Sequence, residues 1–403
     1  MDKRLDWWKM IYKINAVLKS PLMIGGKTLD SNYRESKDYI PGSVLRAAYA
    51  KAIIQRCAFE QKNYYLEYKG QVQCENCEFR NICKNFSEIT FPFLYPLGGK
   101  PYPVTAREKK YKDKEDMEIF DILKCRLITL GKADGETGWE RLEGINKDGK
   151  KVKLMHSAVT RTAIDYKRNT AKEGSLYTQN VILEQYMNKY DELEDIVFTG
   201  EIELLPEEKK ELDKINILRI GADITRGFGK CNMSFENSND ITIDTAEKIK
   251  QRINEFNLGI KYNKHFVIVD LLTDAYLGLE EIGGNNISQT EIPDIEMMKF
   301  LEKKIDLPSG IYTLCKVYKF QEFIRGFDTS KTTEKEMRRN GHLVVKAGAV
   351  FIYEAMPEEI EWVKLLEFEQ KGIGKNTEHG FGKVRICDMF HIDYDVLRGK
   401  NNG

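Results

Sequence analysis

No charge of one sign is left over in this sequence: 63 Lys and Arg stand against 63 Asp and Glu. A general attraction to polyanions is therefore excluded, and any nucleic-acid site has to be a local basic patch. Long apolar runs are missing as well. Nothing approaches the roughly 18 residues of a membrane span, and the opening residues Met1 to Trp8 carry Asp2, Lys3, Arg4 and Asp6 in place of an apolar leader. A soluble, cytoplasmic chain without membrane contact is expected. The Walker A spacing and the dinucleotide fingerprint are also absent, which leaves nucleotide hydrolysis unsupported.

What is present is enough apolar material, 41% of 403 residues, for two cores. Lys9 to Ile24 alternates in the manner of a half-buried strand and ends at Gly25-Gly26. After Ile40-Pro41-Gly42-Ser43, the positions Val44, Leu45, Ala48, Tyr49, Ala52 and Ile53 form one face of a helix that Ser43 is placed to cap. Residues 57–150 are rich in cysteine, then proline, then charge, and read as an insertion with a strand over Glu118 to Ile128. Two strands follow between Ser175 and Leu205, then a short charged helix from Pro206 to Lys214 and a glycine loop feeding a strand from Ile217 to Phe235.

The C-terminal part repeats this theme from Lys264 onward, through Gly310 to Tyr318, Leu343 to Tyr353 and Pro357 to Glu369, to Gly372 to Cys387. Gly-Phe-Gly-Lys occurs at 227–230 and again at 380–383, each time after a helical pattern and before an apolar strand. The expected class is α+β: two βαββαβ domains, ferredoxin-like or RRM-like, at 1–240 and 261–403, with 241–260 as the linker.

Cys57, Cys74, Cys77 and Cys83 are spaced C-x16-C-x2-C-x5-C, four soft ligands able to close a tetrahedral, structural zinc site around a segment without its own core. In the alternative, Cys57 is a buried thiol on the helix and only the other three are ligands. Cys125, Cys231, Cys315 and Cys387 are read as small core residues.

The basic candidates fall in three groups. His156 to Tyr177 interleaves Arg161, Lys167, Arg168 and Lys172 with Tyr166 and Tyr177, the mixture of charge and rings that single-stranded RNA needs, although a solvated hairpin has the same composition. The glycine loops set Arg226, Lys230, His379 and Lys383 beside backbone able to approach a phosphate chain, or else form tight turns with packed phenylalanines. Arg46 stands near a helix start, as a phosphate ligand or a surface arginine.

Taken together, Ile40-Pro-Gly-Ser-Val-Leu-Arg-Ala-Ala48, His156 to Tyr177 and the two Gly-Phe-Gly-Lys loops resemble the RAMP superfamily of CRISPR proteins. Its members typically show a Pro-Gly-Ser-x-Leu-(Lys/Arg)-Gly helix start, an Ile-Asp-Arg-x-Thr hairpin and terminal glycine loops. Here Ala47 stands where glycine is usual, and Tyr166 and Lys167 replace the arginine after Asp165. Two domains, the cysteine insertion and this length most resemble the Csx-ten family, the Cas-five-like subunit of type III-D complexes.

The resemblance implies a non-catalytic subunit of an antiviral ribonucleoprotein complex. It would bind the 5′ handle of the guide RNA (crRNA) beside the Cas-ten-type large subunit and other RAMP backbone subunits, with zinc as the only cofactor. Ser43, Arg46, Arg161, Lys167, Arg168, Thr170, Arg226, Lys230, His379 and Lys383 would contact RNA. Two rivals stay open: an endoribonuclease using Asp30 or Asp38, and a zinc-bearing scaffold that touches only proteins.

Overall fold

The computed structural model describes residues 9–30, 32–59, 66–110, 119–128, 138–188, 192–237, 244–278, 294–305, 307, 310–324 and 342–395, with backbone alone for 26–30 and 294–297. The chain is of mixed α and β structure and divides into two compact units. The first comprises 1–99, 150–241 and 378–380, and the second 100–149, 242–377 and 381–403. The stretch read as an insertion is thus shared: 57–99 packs with the first unit and 100–149 with the second.

In the first unit, β1 (Met10–Leu18) buries Tyr12, Ile14, Ala16 and Leu18 on one face and exposes Lys13. Helix α1 (Gly42–Ile54) buries Leu45, Tyr49 and Ile53, one residue per turn of the same stripe. Its N-cap is Pro41 and no side chain caps it, so Ser43 lies inside the first turn instead of bonding the helix end. Gly42 is required there, because a Cβ would meet the Phe91 and His379 carbonyl oxygens at 2.0 and 2.3 Å. Next come the short helix α2 (Arg80–Asn85), β2 (Tyr95–Pro96), the long hairpin of β3 (His156–Arg161) and β4 (Tyr177–Ile182), then β5 (Val197–Leu204). Helix α3 (Pro206–Leu212), β6 (Ile217–Arg219) and β7 (Lys230–Asn237) complete it. The main sheet runs β6-β7-β1-β5-β2, with β1 antiparallel to both β5 and β7. A second sheet sets β3 beside β4 and β4 parallel to Tyr33–Ser36, which pairs with Gly25–Asp30.

In the second unit the helix α4 (Ala246–Asn257) occupies most of the expected linker. Thr245 accepts from the Lys248 amide at 3.3 Å to start it, and Ile249, Ile253 and Phe256 enter the core. Strand β8 (His265–Leu271), helix α5 (Asp294–Lys304), β9 (Thr313–Tyr318), β10 (Val350–Ala355), α6 (Trp362–Lys371) and β11 (Val384–Ile386) follow. The sheet order is β9-β10-β8-β11. Counting β1, β2, β5 and β7 as first to fourth strands, both units share the order second, third, first, fourth.

Glu118 to Ile128 is not one strand: Ile119–Asp121 is extended, and Leu123–Ile128 is a helix that puts Leu123 and Leu127 against the second core. Cys231 and Cys387 are buried as expected of core residues, Cys125 is half-buried, and Cys315 is exposed.

The two glycine loops close by the same contacts. In the first, Ile220 N donates to Gly229 O, Gly229 N to Pro21 O, Ala222 N to Met23 O and Lys19 N to Lys230 O, each at 2.8 Å. In the second, Ile373 N donates to Gly382 O, Gly382 N to Asp274 O, Lys375 N to Tyr276 O and Leu272 N to Lys383 O, at 2.8 to 2.9 Å. A hydroxyl finishes each: Ser20 Oγ accepts from Lys230 N at 2.8 Å and Thr273 Oγ1 from Lys383 N at 2.9 Å. Gly229 and Gly382 have φ of 71° and 72°, and a Cβ on either would come to 1.8 Å from the Ile220 or Ile373 oxygen. Loop closure therefore accounts for these glycines, and Phe228 and Phe381 between them are buried.

Candidate nucleic-acid interface

Strands β3 and β4 pair from His156 opposite Ile182 to Arg161 opposite Tyr177, and the chain beyond them forms an exposed tip. There Ile164–Asp165 pairs with Thr170–Ala171. Asp165 shapes the turn between them: its carboxylate accepts from Lys167 N at 2.9 Å and its carbonyl from Arg168 N at 3.1 Å, while Asn169 takes a left-handed φ of 51°. Tyr166 is 88% exposed and the Arg168 side chain 82%, with Lys167, Thr170 and Lys172 also exposed.

The base of the hairpin is fastened to the first glycine loop. Asp223 lies 3.7 Å from Arg161 and 3.4 Å from Arg226, Arg226 also donates to the Tyr177 hydroxyl, and the Arg161 guanidinium sits 4.4 Å from the centre of the Phe228 ring. Lys230 projects exposed from the start of β7. Tyr177, Asp223 and Phe228 thus complete the site. Asp223 carried a sequence signal, standing three residues before Arg226.

Other expected contacts lie elsewhere. Arg46 is turned onto its own fold, donating to Ile89 O at 3.0 Å and packing 4.6 Å from the Phe86 ring; burial holds its guanidinium below the usual arginine range, against the opposing effect of Glu378. Ser43 is half-buried in α1. His379 is half-buried, 3.8 Å from Glu378, and Lys383 is exposed in the second unit.

Of the candidate acids, Asp38 lies 2.9 Å from His156 Nε2 and pushes the imidazole above its usual range, chiefly through that hydrogen bond. The Asp30 side chain lies outside the described residues.

Cys57, Cys74, Cys77 and Cys83 line one cavity of about 20 Å³ together with Ile53, Leu66, Phe79 and Arg80. Cys74 to Arg80 forms a tight turn in which Cys77 N donates to Cys74 O at 3.3 Å and Phe79 N to Cys77 Sγ at 3.5 Å. Burial pushes the Cys83 thiol up to about 12, helped by the other three cysteines and Glu211. Among the described residues no group of three or more His, Cys, Asp or Glu is drawn together as a metal-ligating cluster.

The RAMP superfamily model matches residues 15–232, more than half of the chain, and the protein belongs to that superfamily. No curated protein matches it. Among solved structures, the chain is similar to one in the type III-B Cmr-beta complex bound to cognate target RNA and AMPPnP, with 15% identity over 92% of this chain and 93% of that one and a TM-score of 0.42. A chain of the same complex bound to cognate target RNA matches at 14% identity over 92% and 96%, with a TM-score of 0.41. Among the described residues no helix is long and apolar enough to cross a membrane.

Proposed function

We propose that this RAMP protein is a non-catalytic, guide-RNA-binding subunit of a type III CRISPR effector complex, most like the Csx-ten subunit of type III-D. In this reading it holds the 5′ handle of the crRNA in the cytoplasm and docks the Cas-ten-type large subunit and neighbouring RAMP subunits. The shared strand order of the two units supports taking each as a ferredoxin-like domain.

The observation that carries the reading is the basic hairpin tip, with Tyr166 and Arg168 almost fully exposed on a base clamped through Asp223. A rigid base and an exposed, mixed aromatic and cationic tip suit a flexible polyanion whose bases offer π faces. Arg161 and Arg226 act by fixing the hairpin, while Lys167, Arg168, Thr170 and Lys230 meet phosphate. Arg46 keeps the helix start against its loop.

A second reading draws on the Asp38 and His156 pair, a carboxylate and an imidazole in hydrogen-bond contact on the same unit. That pair suits proton transfer in RNA cleavage. Binding and cleavage of labelled handle-bearing RNA by the purified protein separates the two. Salt-sensitive binding lost in Lys167→Ala plus Arg168→Ala, with no cut product, supports the binding subunit. Product that disappears in Asp38→Asn and His156→Gln would make it a nuclease instead.

A further inference from the structure

We propose that Cys57, Cys74, Cys77 and Cys83 bind one structural zinc ion, and that this ion fastens the end of α1 to the cysteine segment and through it to α3. The inference is independent of the RNA reading.

The donor set comes from two places in the chain. Cys57 follows α1, its amide donating to Ile54 O at 3.1 Å, while Cys74, Cys77 and Cys83 lie on the tight turn and on α2. All four reach one cavity of about 20 Å³, the room of a single small ion, walled by Ile53, Leu66 and Phe79. Zinc binds the thiolate form, so binding would displace the protons of the four thiols. The amide of Phe79 already points at Cys77 Sγ, the kind of support that steadies a metal-bound thiolate.

Four thiolates around Zn²⁺ leave two negative charges, and cations stand nearby to offset them. Arg80 lines the cavity, and the Arg56 guanidinium lies 5.6 Å from the Phe79 ring. A set of four sulfurs leaves no open position for water, which makes the ion structural.

The surrounding contacts say what the ion holds. Glu211 of α3 accepts from Asn81 N and Ile82 N at 3.1 and 2.7 Å, and Lys214 donates to Glu78 O at 3.2 Å, so the cysteine segment is already tied to α3. Arg56 donates to Lys214 O at 3.4 Å from the end of α1. An ion shared between Cys57 and the other three closes this triangle.

Metal analysis of the purified full-length chain tests the proposal. One zinc per chain is expected. After exchange to cobalt, the protein should show the thiolate-to-metal charge-transfer and visible bands of a tetrahedral sulfur site. Cys57→Ser should alter that spectrum and lower metal affinity, as should Cys74→Ser, Cys77→Ser and Cys83→Ser, while Cys315→Ser leaves both unchanged. Should a variant fail to fold, the chelator-stripped wild type serves instead. Adding zinc alone should slow alkylation of four thiols by at least about tenfold and slow amide exchange over residues 50–57. No bound metal at stoichiometry, or no protection of thiols by zinc, overturns the site. An unchanged cobalt spectrum in Cys57→Ser overturns the link to α1.

Discussion

The Nδ1 atom of His391 lies 2.6 Å from Asp121 Oδ2, although the two residues are 270 positions apart. The other ring nitrogen lies 2.7 Å from Asp270 Oδ1, and the imidazole is wholly buried within the second unit. Burial alone would lower its pKa, but Asp270 and Asp121 outweigh burial and raise it well above the usual value, so the ring is an imidazolium donating from both nitrogens. It pins the strand Ile119–Asp121 to β8.

Breaking this buried ion triad is expected to be costly. His391→Gln should lower unfolding free energy by about 3–5 kcal/mol, because two carboxylates lose their counter-ion in a dry site. The contribution is complete below the ordinary histidine value of about 6.5 and fades as pH rises through the raised folded value. Urea midpoints of wild type and variant should therefore differ most in mild acid and converge in base.

Gly229→Ala and Gly382→Ala should each destabilise the fold, since a Cβ at 1.8 Å from a carbonyl oxygen cannot be accommodated without opening the loop. A loss of about 1–3 kcal/mol is expected from forcing a non-glycine residue into a strained backbone, read by thermal melting. Gly138→Ala, with open space around its Cβ position, should cost less.

RNA binding through the hairpin predicts a particular salt response. Each phosphate contact removed should reduce the slope of log affinity against log salt by about 0.7 for a single strand. Lys167→Ala plus Arg168→Ala should flatten the slope and keep the melting temperature. Tyr166→Ala should weaken binding at every salt concentration and leave the slope alone, because stacking is not a counterion effect.

The Asp38 and His156 pair can be read by NMR. In the wild type, His156 should stay protonated to a higher pH than a free histidine, and Asp38→Asn should bring its titration back toward the ordinary range. Both groups are partly exposed, so the change should leave the melting temperature nearly unmoved.

Local features were legible in the sequence where one short segment determines them. The alternation in β1, the stripe Leu45, Tyr49 and Ile53 on α1, and the repeated Gly-Phe-Gly-Lys all correspond to structure, because period and glycine placement act within a few residues. Ser43 misled because Pro41 already starts the helix and takes the cap position. Glu118 to Ile128 misled because its apolar residues fit either period, and packing on the second core decided for a helix at Leu123. Composition singled out the stretch holding Tyr166, Lys167 and Arg168, which forms an exposed hairpin tip. The clamp through Asp223, the burial of Arg46 against Phe86, and the His391 triad were not legible, since each joins residues that no local pattern connects.

Arg226 and His379 occupy equivalent places, each the last residue of a three-residue turn before a glycine in its loop. Main-chain bonds and a hydroxyl close both loops, so neither side chain is needed for the turn itself. The repeated loop thereby presents one position twice, with a different side chain in each copy. One copy keeps a permanent positive charge, and the other holds the only side-chain type that ordinarily changes charge near neutrality.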